Sequence, residues 1–160
     1  MDQKFLKELE KSCMIDVASL AAKFGMSEEE AAKEITSLQK NGILCGCHAL
    51  INWDEASEDL VTALIEVKVT PHERAGYHRI AERIANIDAV KSLYLMSGGY
   101  DFTVIIEERT MREVSAIVMD KIAVIDSVQS TATHIILKKY KEGGISLSSH
   151  CDDRRMSITL

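Results

Sequence analysis

Met96-Ser97-Gly98-Gly99-Tyr100-Asp101 separates two strand-like runs, residues 90–96 and 102–107, and its paired glycines read as a hairpin turn that needs positive φ. The same six residues crowd bare backbone amides, a hydroxyl, a phenol and a carboxylate at one point. Fold and ligand site are therefore expected to coincide there.

Upstream of this turn, Ala63, Ile65, Val67 and Val69 alternate with Leu64, Glu66 and Lys68, the period of a half-buried strand beginning near Leu60. Pro71, the single proline, stops it. A helix from about Glu73 follows, with Tyr77, Ile80, Ala81 and Ile84 on one face. Downstream the order repeats: strand 102–107, a helix over 110–121 with Val114, Ile117, Val118 and Ile122 apolar, then a strand over 128–140. The pattern is βαββαβ, an antiparallel four-stranded sheet with both helices on one face, the ferredoxin-like arrangement of an α+β protein. The sheet face without helices carries apolar side chains, so self-association through the sheets is expected.

The first fifty residues have a different period. Phe5, Leu6, Leu9 and Cys13 mark a short helix; Asp16 is placed to cap a second, with Val17, Leu20, Ala21 and Phe24 inward; Gly25 ends it. Ser27-Glu28-Glu29-Glu30 has the form of a capping box opening a third helix, with Ala31, Ile35 and Leu38 inward and Asn41-Gly42 as its stop. Residues 43–51 alternate loosely, as in a small β-wing. Three short helices with a tight turn between the second and third match a winged helix-turn-helix, whose third helix enters the major groove of double-stranded DNA. The contact set on that helix is Ser27, Lys33, Thr36, Ser37 and Lys40, with Lys23 added from the second. Against phosphate stand Glu28, Glu29 and Glu30; residues 1–50 hold six lysines against eight carboxylates, a net of −2, and no arginine precedes Arg74.

Residues 1–50 are thus expected to form a DNA-binding-like domain, 51–59 a linker, 60–141 an effector-binding and oligomerisation domain, and 142–160 a tail with a short strand at 157–160. The whole chain of 160 residues is 46% apolar, has a net charge of −6 and contains no uninterrupted apolar run of membrane-spanning length. Its first residues lead into a charged segment rather than an apolar signal core, so a cytoplasmic protein without a membrane partner is expected. Cys45-Gly46-Cys47-His48 brings two thiols and an imidazole close together, but a structural zinc needs about four ligands. The nearest further candidates, His150 and Cys151, fall in the tail, so the stretch reads as ordinary strand, the four cysteines as reduced thiols, and no metal or cofactor is assigned.

Two stretches resemble the Lrp/AsnC (leucine-responsive, feast/famine) regulators. Leu20-Ala21-Ala22-Lys23-Phe24-Gly25-Met26-Ser27, followed by Ile35, Leu38 and Asn41-Gly42-Ile43-Leu44, is similar to their helix-turn-helix. Leu95-Met96-Ser97-Gly98-Gly99-Tyr100-Asp101-Phe102, with residues 128–133 before Ile135-Ile136-Leu137, is similar to their effector domain. The resemblance implies transcription regulators that dimerise through the sheets, assemble further into octamers, and sense an amino acid or similar small molecule at subunit contacts. It assigns Ser97, Gly98, Gly99 and Tyr100 to an effector carboxylate, Asp101 to its ammonium group, and Thr131 and Thr133 to the same pocket. It departs where family members carry basic residues on the reading helix and this chain has Glu28 to Glu30, Ala32 and Lys33. Two further readings stand beside regulation: a module that acts by co-assembling with a paralogue, and a subunit like the sirohaem decarboxylases of this fold. The latter needs cations to grip many carboxylates, which an arginine-free first domain lacks. No nucleophile and base pair up, so no catalysis is assigned.

Overall fold

The computed structural model describes residues 3–11, 16–56, 60–70 and 76–147. The chain divides into two compact units between Ile51 and Asn52. In the first, α1 (Gln3–Lys11), α2 (Val17–Phe24) and α3 (Glu28–Lys40) enclose Phe5, Leu9, Leu20 and Leu38. The expected caps form. Asp16 accepts from the backbone amides of Ala18 and Ser19, Gly25 takes the left-handed conformation at φ 66°, and Ser27 with Glu30 completes a reciprocal capping box. Cys13 lies outside the described residues.

The wing expected over residues 43–51 is not formed: the segment carries no strand. After Gly42, at φ 67°, the amides of Ile43 and Leu44 both turn back to the carbonyl of Leu38. No strand elsewhere among the described residues of this unit offers a ladder, and a lone extended segment cannot satisfy its own backbone.

The second unit is built as βαββαβ: β1 (Val61–Val69), α4 (Gly76–Ala85), β2 (Val90–Leu95), β3 (Phe102–Glu108), α5 (Met111–Ile117) and β4 (Val128–Ile136). The sheet order is β2-β3-β1-β4, antiparallel throughout, with β1 at its centre beside β3. Ala63, Ile65 and Val67 of β1 and Phe102, Val104 and Ile106 of β3 share one face and pack against Ile80 and Ile84 of α4 and Val114, Val118 and Ile122 of the second helix. Alternate positions, Thr62, Leu64, Glu66 and Lys68, point to the other face, on which no helix of this unit packs among the described residues.

Three details depart from the sequence reading. The second helix ends in a π-helical turn, Val118–Ile122, closed by the Ala123 amide on the Val118 carbonyl at 2.8 Å. Val114, Val118 and Ile122 stay buried through it, at the four-residue spacing that keeps side chains on one helical stripe. The last strand stops at Ile136, not 140; Leu137 beyond it is 95% exposed. A two-residue hairpin, β5 (Lys141–Glu142) and β6 (Ile145–Ser146), then turns on Gly143 and Gly144, both at positive φ. Asn52 ties it down by donating from Nδ2 to the Leu147 carbonyl. The strand expected at 157–160 and the start of the first crossover helix near Glu73 lie outside the described residues.

Ile65 is wholly buried at the centre of this core. Ile65→Ala is expected to lower the stability of the second unit by about 2–5 kcal/mol, read from urea unfolding followed by circular dichroism.

Candidate functional site

The turn between β2 and β3 is closed by the Met96 amide on the Asp101 carbonyl at 2.8 Å. Neither Gly98 nor Gly99 takes positive φ, contrary to the hairpin expectation, and a Cβ at either would meet nothing within 4 Å. The reason is length. A connection running from Met96 to Asp101 does not need the mirrored two-residue turn that demands left-handed residues. What the glycines leave is an uncovered stretch of backbone: Ser97, Gly98 and Gly99 are all exposed.

Asp101 turns inward. Its Oδ2 accepts the Val69 amide at 2.8 Å, its Oδ1 accepts the Tyr77 hydroxyl at 3.1 Å, and its own amide donates to the Val67 carbonyl at 3.0 Å. Val67 is opposite Phe102, the first residue of β3, so β1 outruns its neighbour by two residues and the Asp101 side chain supplies the acceptor that β3 no longer offers. The Tyr77 ring packs at 6.0 Å from that of Phe102. The bond to Asp101, with burial and the nearby negative charge adding to it, raises the Tyr77 pKa above its ordinary value of 10.0. From its spacing alone Tyr77 reads as an apolar position of the first crossover helix; in the structure it is the second residue of α4, and its hydroxyl bond to Asp101, 24 residues away, has no local signal.

Tyr100 goes elsewhere: its hydroxyl accepts from Thr103 Oγ1 at 3.3 Å. Thr131 and Thr133 pair with Val67 and Ile65 across β1, so two strand spacings, roughly 10 Å, separate Thr131 from Phe102 at the foot of the turn. Within one subunit the structure thus brings Ser97, Gly98, Gly99, Tyr100 and Asp101 together on the turn and leaves Thr131 and Thr133 on the far edge strand.

In the first unit, Lys33, Thr36, Ser37 and Lys40 line one open groove along α3 with Glu29, Ala32 and Asn41. Lys33 sits 3.8 Å from Glu29, both largely exposed. Thr36 donates its hydroxyl to the Ala32 carbonyl, and Ser37 accepts from the Asn41 side chain. Ser27 is spent on the cap, bonded to both the amide and the carboxylate of Glu30. Lys23 lies on α2 and reaches Glu8 at 2.7 Å, a contact that lowers the Glu8 pKa. Neither Cys45 nor Cys47 is in a disulfide, and no group of three or more potential metal ligands converges among the described residues.

The family model of the Lrp/AsnC ligand binding domain matches residues 62–145. The uncharacterized HTH-type transcriptional regulator YugG of Bacillus subtilis is 37% identical over 99% of this chain and 96% of its own length. LrpA of Pyrococcus horikoshii is 30% identical over 88% of this chain and 96% of its own. Among solved structures, the leucine response regulatory protein of Mycobacterium tuberculosis superposes with a TM-score of 0.74 at 18% identity, covering 92% of this chain and 100% of that one. A feast or famine regulatory protein from M. tuberculosis, complexed with L-methionine, gives 0.70 at 21% identity over 92% and 97%.

Because Asp101 stabilises the protonated phenol, the Tyr77 contribution to folding is complete below the unfolded pKa near 10 and lost as pH rises through the higher folded value. A spectrophotometric phenolate titration is expected to show one of the four tyrosines ionising above its ordinary range, and Asp101→Asn to return it toward 10.0.

Proposed function

The chain belongs to the Lrp/AsnC family, and from that premise we propose that it is a DNA-binding transcriptional regulator whose activity responds to an amino acid or a similar small molecule. The observation that carries this reading is the 37% identity to an HTH-type regulator over 99% of the chain, which spans the three-helix unit and the sheet domain together. No described helix is long and apolar enough to cross a membrane; the regulator works on DNA in the cytoplasm and catalyses no reaction.

The effector site we propose is the β2–β3 turn. Exposed amides and hydroxyl at Ser97, Gly98 and Gly99, with the Tyr100 phenol, receive a carboxylate. Asp101 receives the ammonium group, since a carboxylate has about four lone-pair sites and the Val69 amide and Tyr77 hydroxyl take two. Thr131 and Thr133 are too far across their own sheet to complete that site, so a neighbouring subunit supplies the hydroxyl side. Effector occupancy is then coupled to assembly, a homodimer through the open sheet faces and a larger ring beyond it.

DNA contact falls to the exposed face of α3, with Lys33 and Lys40 as its charged groups, Thr36 and Ser37 beside them, and Lys23 and Ser27 at the turn. A dimer sets two such helices in successive major grooves, about 34 Å apart. The acidic start of α3 favours a second reading, a subunit that modulates a basic paralogue by mixed assembly.

In mobility-shift titrations with its own promoter DNA, affinity is expected to fall as salt rises, and Lys33→Ala or Lys40→Ala to lower the salt slope by about 1 each. The responding amino acid, found by screening all twenty, is expected to change affinity by about 5–150-fold, and Asp101→Asn to abolish that change. Absence of salt-sensitive binding with and without amino acids rejects the reading; altered DNA affinity of a paralogue after mixing installs the second one.

A further inference from the structure

We propose that Cys45 and Cys47 form a redox modification site, a dithiol that a hydroperoxide converts into a reversible disulfide within one chain. Both residues are exposed, neither is in a disulfide, and a single glycine separates them. They line a groove of the first unit with Leu6 and Leu9 of α1 and Ile35 and Gln39 of α3. The donor set is too small for a structural metal ion, because no third histidine, cysteine or carboxylate converges with them among the described residues.

Geometry decides what two such thiols can do. Two residues apart along a chain, Cα atoms lie at most about 7 Å from each other, and a disulfide needs about 4.4–6.8 Å, so a bend at the middle residue suffices. Gly46 is that residue: a Cβ there would meet nothing within 4 Å, and the segment is held in no strand or helix. Two residues of chain keep the second thiol beside the first, so its attack needs no encounter with another molecule. The resulting ring is small and strained, the property of disulfides that reducing surroundings reopen.

The chemistry balances. A Cys thiolate attacks the peroxide oxygen, the O–O bond breaks, and a sulfenic acid forms with release of one water after protonation. The neighbouring thiol then displaces the sulfenic hydroxyl, forming the S–S bond and a second water; two thiols are oxidised and one hydrogen peroxide is reduced. Either thiol can begin.

The site is wired to α3. Cys45 Sγ contacts the Gly42 carbonyl at 3.1 Å, and the next two residues back, Ile43 and Leu44, send their amides to the Leu38 carbonyl at 2.9 and 3.1 Å. Drawing Cys45 toward Cys47 takes its sulfur off that carbonyl and pulls on the turn that ends α3.

The full chain carrying Cys13→Ser and Cys151→Ser isolates the pair. Hydrogen peroxide at a fixed, modest excess is expected to consume both remaining thiols and lower the intact mass by about 2 Da, with a pseudo-first-order rate constant independent of protein concentration and reversal by dithiothreitol. Adding Cys47→Ser is expected to stop the reaction at a dimedone-trappable sulfenic acid on Cys45. Peroxide resistance, chain-to-chain disulfides in place of the mass loss, or protection of both thiols by equimolar Zn²⁺ overturns the assignment. Faster hydrogen exchange at Ile43 and Leu44 in the oxidised protein is the expected consequence for α3, and unchanged exchange there overturns that link.

Discussion

The carboxylate of Asp101 settles a geometric problem on which the second unit depends. β1 is the central strand and outlasts β3, so its last amide, on Val69, would face nothing at the point where the chain leaves the sheet for its first crossover. Burying an unpaired amide costs on the order of 1–3 kcal/mol. Asp101 bonds that amide with one oxygen and the Tyr77 hydroxyl with the other, so one side chain fixes the end of β1, the first turn of α4 and the β2–β3 turn relative to each other. Any ligand that draws on this carboxylate acts on all three elements at once.

The two faces of the sheet then have different chemistry. On the inner face the buried cluster is aliphatic apart from Phe102 and is closed by two helices, with Thr131 and Thr133 opposite Val67 and Ile65 on the β4 edge. The outer face mixes Leu64 and Ile105 with polar groups: Glu66 lies 3.4 Å from the His134 imidazole, Glu107 pairs with Lys139 at 2.6 Å, and Lys68 is exposed. Partial burial pulls the Lys139 pKa down, but Glu107 and Glu142 outweigh it and the net shift is upward, keeping the ammonium charged. Where a charge on this face is already paired, as at Glu107 and Lys139, another protein surface can cover it without stranding an ion, whereas an unpaired charge would resist it.

The alternation at 63, 65, 67 and 69 and the helical spacing of Ile80 and Ile84 made the βαββαβ order legible, because a two-residue period and a 3.6-residue period cannot be confused over such runs. Capping chemistry was equally plain at Asp16 and Ser27, where side chain and backbone lie within three residues. Long-range relations were not. Nothing local to Asp101 says that its partners are Val69 and Tyr77, 32 and 24 residues away. The turn glycines suggested a backbone conformation they do not adopt, since glycine is also the residue that leaves a turn uncovered. The wing failed for a related reason: alternation marks a strand only if a partner strand exists.

The charge on α3 sets how strongly the three-helix unit can hold DNA phosphates. Glu30 is engaged by the Ser27 amide and hydroxyl, which lower its pKa, so this carboxylate is fixed and ionised at the helix N-terminus, where a phosphate would otherwise be welcomed. Glu29 lies 3.8 Å from Lys33, and Thr36 has its hydrogen directed to the helix backbone. Each subunit is left with few groups for phosphate, and a small number of phosphate contacts gives weak binding at physiological salt. Weak single contacts become useful when several subunits are joined, because a second site on the same scaffold binds at high effective concentration. A unit whose α3 carries so few cations for phosphate gains affinity for DNA when several copies are joined, and a ligand that changed how the copies join would change DNA occupancy as well.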